Sequence, residues 1–134
     1  AALGSATVAL QPCLRDVWHD HLLFTGEELT GLIDPGACRS ENVTTDLARL
    51  LGSLVEDDRG EWDFALDCYQ QMRPLSLVEL RMLRAFDASG VVLSGVTWLD
   101  WLLIQQRVFI NRARVLERLQ TIVRRLENLA GRSS

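Results

Sequence analysis

A strand–turn–strand pattern near the start of the chain constrains its fold more than any other feature. Residues 22–33 hold two apolar runs separated by the turn Thr-Gly-Glu-Glu, which predicts a tight antiparallel hairpin. Asp16 and His21 precede the first run, and Asp34 follows the second. Because the outer ends of two antiparallel strands meet at one end of a hairpin, we expect these three side chains to lie close together.

The spacing of these polar residues suits phosphoryl transfer. In sites of the protein-kinase type, one Asp orients the acceptor hydroxyl and a side chain five residues later binds metal. A second Asp, after the next strand, binds metal between the phosphates. Asp16, His21 and Asp34 stand at these spacings, so the sequence favours phosphoryl chemistry.

Helical patterns fill most of the remaining chain. Ser76 and Glu79 form a capping box, whereas Ser89-Gly90 indicates a helix break and residues 38–42 a loop. Apolar residues spaced by threes and fours predict five helices, at 46–55, 61–72, 77–86, 96–108 and 111–130. The predicted fold class is α+β and mostly helical, with a short hairpin region followed by about five helices.

The length of 134 residues indicates one domain over residues 1–134. Within it we expect the catalytic loop and hairpin in residues 1–36 and a helical part in residues 43–130. Residues 131–134 are expected to form a frayed tail.

Composition favours a globular cytoplasmic protein. Hydrophobic residues make up 48% of the chain, and no apolar run approaches the roughly 18 residues that a membrane span needs. The start of the chain shows no signal-peptide pattern. Cys13, Cys38 and Cys68 form no CxxC pair, which indicates free, buried thiols in a reducing compartment.

Charge is distributed unevenly. Residues 1–67 contain thirteen acidic residues and four arginines, whereas residues 68–134 contain five acidic residues and ten arginines. The acidic half contains the candidate site and suits cations better than nucleic acid. The arginines of the basic half are spaced along helices, which favours a solvated or internally paired face over nucleic-acid binding. No lysine is present to grip nucleotide phosphates.

Three segments together resemble a known family. They are residues 14–24 (Leu-Arg-Asp-Val-Trp-His-Asp-His-Leu-Leu-Phe), residues 29–36 (Leu-Thr-Gly-Leu-Ile-Asp-Pro-Gly) and residues 46–51 (Asp-Leu-Ala-Arg-Leu-Leu). This organisation resembles the C-terminal lobe of the aminoglycoside-phosphotransferase and choline-kinase-like family. The resemblance covers about the whole chain but only one lobe of the family's fold.

The resemblance implies roles for individual residues. Asp16 matches the catalytic Asp that orients the acceptor hydroxyl, and His21 falls where the family places a metal-binding Asn. Asp34 matches the metal-binding Asp, and Asp46 matches an Asp that supports the catalytic loop from below.

The chain also departs from the family pattern. Leu14 stands where a His usually precedes the catalytic Asp, and Pro35 replaces an aromatic residue. The glycine-rich loop, the phosphate-binding lysine and the N-terminal lobe are missing from this sequence. Since kinase catalysis depends on positioning and electrostatics, we expect metal-dependent phosphoester hydrolysis rather than ATP-dependent transfer from this chain alone. The alternatives are an inactive fragment of a small-molecule kinase and a helical interaction module with a vestigial site.

The histidines suggest which metal would bind. His19 and His21 with Asp34 form a mixed imidazole–carboxylate set, which suits Zn or Mn better than Mg as the divalent cofactor. Arg15 and Asp20 are candidate supporting residues beside this set. In the alternative interpretation, His19 is a surface residue that hydrogen-bonds Asp20.

Two partners are expected. One is a phosphorylated small-molecule substrate, and the other is a second copy of the chain in a homodimer, with no membrane partner. The last predicted helix carries apolar residues spaced like a short heptad seam, Leu116, Leu119, Val123, Leu126 and Ala130. Packing of this seam within its own domain is the alternative.

Overall fold

The computed structural model describes residues 7–131 and confirms an α+β, mostly helical fold. The chain divides into two compact units, one ending at Asp87 and the other beginning at Ala88. The single domain expected over residues 1–134 stays a prediction. Gly131, in the predicted frayed tail, ends the last helix, and residues 132–134 lie outside the described part.

Short strands come first and long helices follow. The strands are β1 (Gln11–Cys13), β2 (Leu22–Thr25), β3 (Glu28–Leu32) and β4 (Arg39–Glu41). The helices are α1 (Thr44–Leu54), α2 (Arg59–Met72), α3 (Leu77–Leu99) and α4 (Arg112–Gly131).

The strands form two antiparallel pairs, β2 with β3 and β1 with β4. The first pair is the predicted hairpin, and Gly26 in its two-residue loop has a φ of 62°, a conformation that glycine adopts at little cost. The second pair corrects the prediction of a loop at 38–42. Since β4 has only three residues and its partner is distant in sequence, local patterns do not reveal it.

One helix stands where two were predicted. α3 continues through Ser89-Gly90 and is followed by a π-helical turn at Asp100–Ile104. The predicted break is wrong because a glycine inside a helix costs only about 1 kcal/mol relative to alanine, which neighbouring residues can offset. The described chain therefore has four α-helices rather than five.

The core of the first unit lies between its helices. Leu83 is only 1% exposed, and it clusters with Val43, Leu47, Ala48 and Leu75. The partly buried side chains that pack against this cluster are Trp62, Leu66, Tyr69 and Leu80. This arrangement anchors α1, which begins beside the catalytic loop.

The second unit is held by a close helix approach. A Cβ added at Gly95 of α3 would lie 3.4 Å from Cδ1 of Leu126 and 3.6 Å from Cγ2 of Ile122, both on α4. Leu126, one of the predicted seam residues, thus lies against α3 of its own chain.

The segment Leu77–Ile104 is long and apolar enough to cross a membrane, judged by length and composition only. One such segment is weak evidence for a membrane span, and 6% of its apolar 18-residue window is buried in this structure. The sequence predicts a buried helix over residues 91–104, because polar residues interrupt the apolar run there. The expected absence of a membrane partner stays a prediction.

The cysteines fit the expectation in part. All three are free, but only Cys13 is buried, whereas Cys38 and Cys68 are exposed. The prediction of buried thiols is therefore wrong for Cys38 and Cys68, because β4 and α2 leave them at the surface.

Candidate functional site

The loop between β1 and β2, which is the predicted catalytic loop, is attached to the first turn of α1. The Asp46 carboxylate accepts hydrogen bonds from the backbone N–H groups of Leu14 and Arg15, each at 2.7 Å. Arg15 has a φ of 64°, an unfavourable backbone conformation for a non-glycine residue, so the two bonds hold a strained segment in place. Nε of Arg15 lies 3.7 Å from a carboxylate oxygen of Glu41 on β4.

Asp16 follows this strained residue and forms an ion pair with Arg49 of α1. Nε and one terminal nitrogen of Arg49 lie 2.9 and 2.5 Å from the same carboxylate oxygen, Oδ1 of Asp16. Charge-assisted bonds of this kind are stronger than neutral ones. The second carboxylate oxygen is not used by Arg49.

His21 is held by Trp18 across one short helical turn. The indole Nε1–H of Trp18 donates to Nε2 of His21 at 2.7 Å, and the backbone N–H of His21 donates to the Trp18 carbonyl at 2.9 Å. An imidazole nitrogen that accepts a hydrogen bond has no lone pair left for a metal. In the neutral ring the proton is then on Nδ1, which is buried and has no hydrogen-bond partner among the described residues.

His19 lies beside Asp20, as the alternative interpretation expected. Its Nε2 is 3.3 Å from Oδ1 of Asp20, and its backbone N–H donates to Oγ of Ser53 at 2.9 Å. The Ser53 hydroxyl donates in turn to the Leu50 carbonyl at 2.8 Å. The contact ties this end of the catalytic loop to α1, and both His19 and Asp20 remain partly exposed.

Asp34 follows the second strand, at the open end of the hairpin near His21. The backbone N–H of Ile33 donates to the carbonyl of His21 at 3.0 Å, which continues the β2–β3 pairing to the base of the hairpin. Asp34 is exposed, has a φ of 57° and leads into a short helical turn at Pro35–Ala37. Its carboxylate could bind a cation.

The described residues do not form the predicted three-ligand metal site. Among residues 7–131 no group of three or more His, Cys, Asp or Glu side chains is placed to hold a metal ion. The physical reason at His21 is its hydrogen bond from Trp18. The divalent cofactor and its predicted ligands His19, His21 and Asp34 stay predictions.

A buried polar network surrounds Glu79, and of its contacts the sequence predicted only the capping box with Ser76. Glu79 is 6% exposed and accepts hydrogen bonds from Nδ2 of Asn42 and from Arg73, each at 3.0 Å. It also accepts from the backbone N–H of Ser76 at 2.9 Å, while its own N–H donates to Oγ of Ser76 at 3.2 Å, which confirms the capping box. The bond from the Ser76 backbone, followed by those from Asn42 and Arg73, lowers the pKa of Glu79 to about 2 against the effect of burial.

Asn42 links this network to the start of α1 and to the segment before β1. Its side-chain oxygen accepts from the N–H and hydroxyl of Thr44, at 3.1 and 2.6 Å, and its Nδ2 donates to the Ala9 carbonyl at 2.9 Å. Asn42 therefore binds the first residue of α1 through its side chain. The sequence signal for this contact was an Asn just before a predicted helix, since this residue type is favoured near helix starts.

Comparison with known proteins identifies the family of the chain. The family model of the phosphotransferase enzyme family matches residues 1–75, and the chain belongs to that family. A homoserine kinase from Rhizobium rhizogenes is 26% identical over 113 residues, which cover 80% of this chain and 35% of that protein. The chain thus spans about a third of the length of this curated relative. No solved structure matches significantly.

Proposed function

We propose that this chain forms the acceptor-activating part of a small-molecule kinase, with Asp16 as the residue that receives the acceptor's proton. The observation that supports this most is the double attachment of the catalytic loop to α1. Asp46 binds the backbone before Asp16, and Arg49 binds its side chain. A carboxylate held in this way meets the positioning requirement of phosphoryl transfer.

The proposed reaction transfers the terminal phosphoryl group of a nucleoside triphosphate to a hydroxyl group. As the acceptor oxygen bonds to the γ-phosphorus, the hydroxyl proton passes to the free oxygen of Asp16. The bond between the γ-phosphorus and the bridging oxygen breaks, and its electron pair stays on the nucleoside diphosphate. By likeness to the homoserine kinase, the proposed acceptor class is a small hydroxy amino acid.

The other residues have supporting roles in this proposal. Asp46 keeps the loop in its strained shape, and the hairpin carries Asp34 beyond its second strand. A divalent ion bound at Asp34 would neutralise phosphate charge.

Phosphoester hydrolysis by this chain alone is the sequence-based expectation, and family membership favours transfer over it. One experiment separates the two. The full-length natural gene product is incubated with ATP, Mg²⁺ and a panel of small alcohols that includes homoserine, and ADP formation is followed. In parallel, a chromogenic phosphoester is offered with and without chelator.

The proposal expects ADP formation that depends on one of the alcohols. Hydrolysis of the phosphoester that stops with chelator, in the absence of any alcohol-dependent ADP formation, would establish the hydrolase instead. If neither reaction is observed, the inactive-fragment or interaction-module alternative is favoured.

A further inference from the structure

The ion pair between Arg49 and Asp16 is exposed, so it should contribute little to folding stability. The Asp16 and Arg49 side chains are 50% and 40% exposed. Exposed ion pairs contribute little to folding stability, because solvent screens them and ordering two side chains costs entropy. A role in the site is therefore the more informative interpretation of this contact.

The position of Arg49 on α1 is significant. Arg49 follows Asp46 by three residues, so the two side chains lie on one face of the helix, a turn apart. Asp46 holds the backbone at Leu14 and Arg15, and Arg49 holds the side chain that comes next. One face of one helix thus fixes both the path of the catalytic loop and the direction of its carboxylate.

The geometry of the pair distinguishes the two carboxylate oxygens of Asp16. Both donors of Arg49 converge on Oδ1, at 2.9 and 2.5 Å. A planar guanidinium that engages one oxygen through two N–H groups restricts rotation of the carboxylate and leaves Oδ2 open. An acceptor hydroxyl needs one such oxygen in a fixed direction.

We propose that Arg49 is a positioning residue, which binds Oδ1 of Asp16 and so directs Oδ2 towards the acceptor hydroxyl. This inference rests on the proposed transfer function. Arg49 touches no reacting atom, so its loss should lower kcat rather than weaken acceptor binding. A misdirected carboxylate should cost roughly 10- to 100-fold in kcat, because misplacement of about 1 Å costs on that order.

The test uses the full-length natural protein with Arg49→Ala and Arg49→Lys, and Arg81→Ala on the exposed side of α3 as the matched control. We expect Arg49→Ala to lower kcat while KM for the acceptor stays within about twofold, since positioning acts on the transition state. Guanidinium ion at millimolar concentration should restore part of the lost kcat. It should not restore activity in the double variant Asp16→Asn/Arg49→Ala. The kcat of Arg49→Lys should lie between those of wild type and Arg49→Ala, because an ammonium group keeps the charge but cannot make the two-donor contact.

A kcat of Arg49→Ala within twofold of wild type would overturn the inference, as would a loss that guanidinium does not restore. Failure of the transfer function itself would be recognised separately, since wild type would then form no ADP. In that case hydrogen exchange decides the matter. Faster exchange of the Asp16 and Val17 amides in Arg49→Ala, but not in Arg81→Ala, supports the positioning role, and equal exchange overturns it.

Discussion

The buried carboxylate of Glu79 provides a quantitative prediction. Replacing Glu79 with Gln removes a charge that Asn42, Arg73 and Ser76 stabilise. The pKa of Glu79 falls from 4.5 to about 2 in the folded protein. At 1.36 kcal/mol per pKa unit, this corresponds to at most about 3 kcal/mol of folding stability at neutral pH. Because the folded pKa is lowered, the contribution is complete above the unfolded pKa and is lost as pH falls through the folded one.

Urea unfolding followed by tryptophan fluorescence measures this effect, since Trp62 packs against the core. We expect Glu79→Gln to lose about 2–3 kcal/mol of unfolding free energy at pH 7. The difference from wild type should shrink between pH 4.5 and pH 2. Glu27→Gln, at the exposed hairpin turn, is the control and should change little at any pH. A difference that stays constant down to pH 2.5 would refute the assignment of this stability to the ionised carboxylate.

Two further predictions concern the metal and the assembly. Replacing Trp18 with Phe removes the N–H group that donates to Nε2 of His21. If the imidazole of His21 then binds metal, the affinity for Mn²⁺ or Zn²⁺ measured by calorimetry should rise roughly tenfold. Equal metal binding by Trp18→Phe and His21→Asn would show that His21 is not a ligand. A homodimer at micromolar concentration stays a prediction. In the proposed seam, Leu116 and Val123 are exposed. Replacing both with Glu should give a folded monomer by light scattering, whereas a wild-type mass of one chain would contradict the dimer.

Local sequence signals were sufficient for part of the fold. The hairpin follows from two apolar runs around Gly26, and the start of α3 follows from the Ser76–Glu79 capping box. The pairing of β1 with β4 depends on a contact between segments far apart in the chain, which local patterns do not contain. The continuation of α3 through Ser89-Gly90 was missed because a turn-forming dipeptide carries only a small penalty inside a long helix.

The sequence suggested residues for the candidate site but not the contacts that they make. The spacing of Asp16, His21 and Asp34 pointed to phosphoryl chemistry, and the family match supports that class. The sequence did not indicate that Arg49, 33 residues away, binds Asp16. Nor did it indicate that Trp18 occupies a nitrogen of His21, because that depends on side-chain rotamers within a tight turn.

The central claim is that Asp16 receives the proton of an acceptor hydroxyl. The most direct measurement compares wild type, Asp16→Asn and the exposed α2 control Asp63→Asn in the full-length protein, with ADP formation as the readout. Asp16→Asn should lower kcat by about 10²- to 10⁴-fold with unchanged circular dichroism, because the amide cannot accept the proton. Asp63→Asn should retain wild-type kcat. An Asp16→Asn variant with kcat within threefold of wild type would contradict the account.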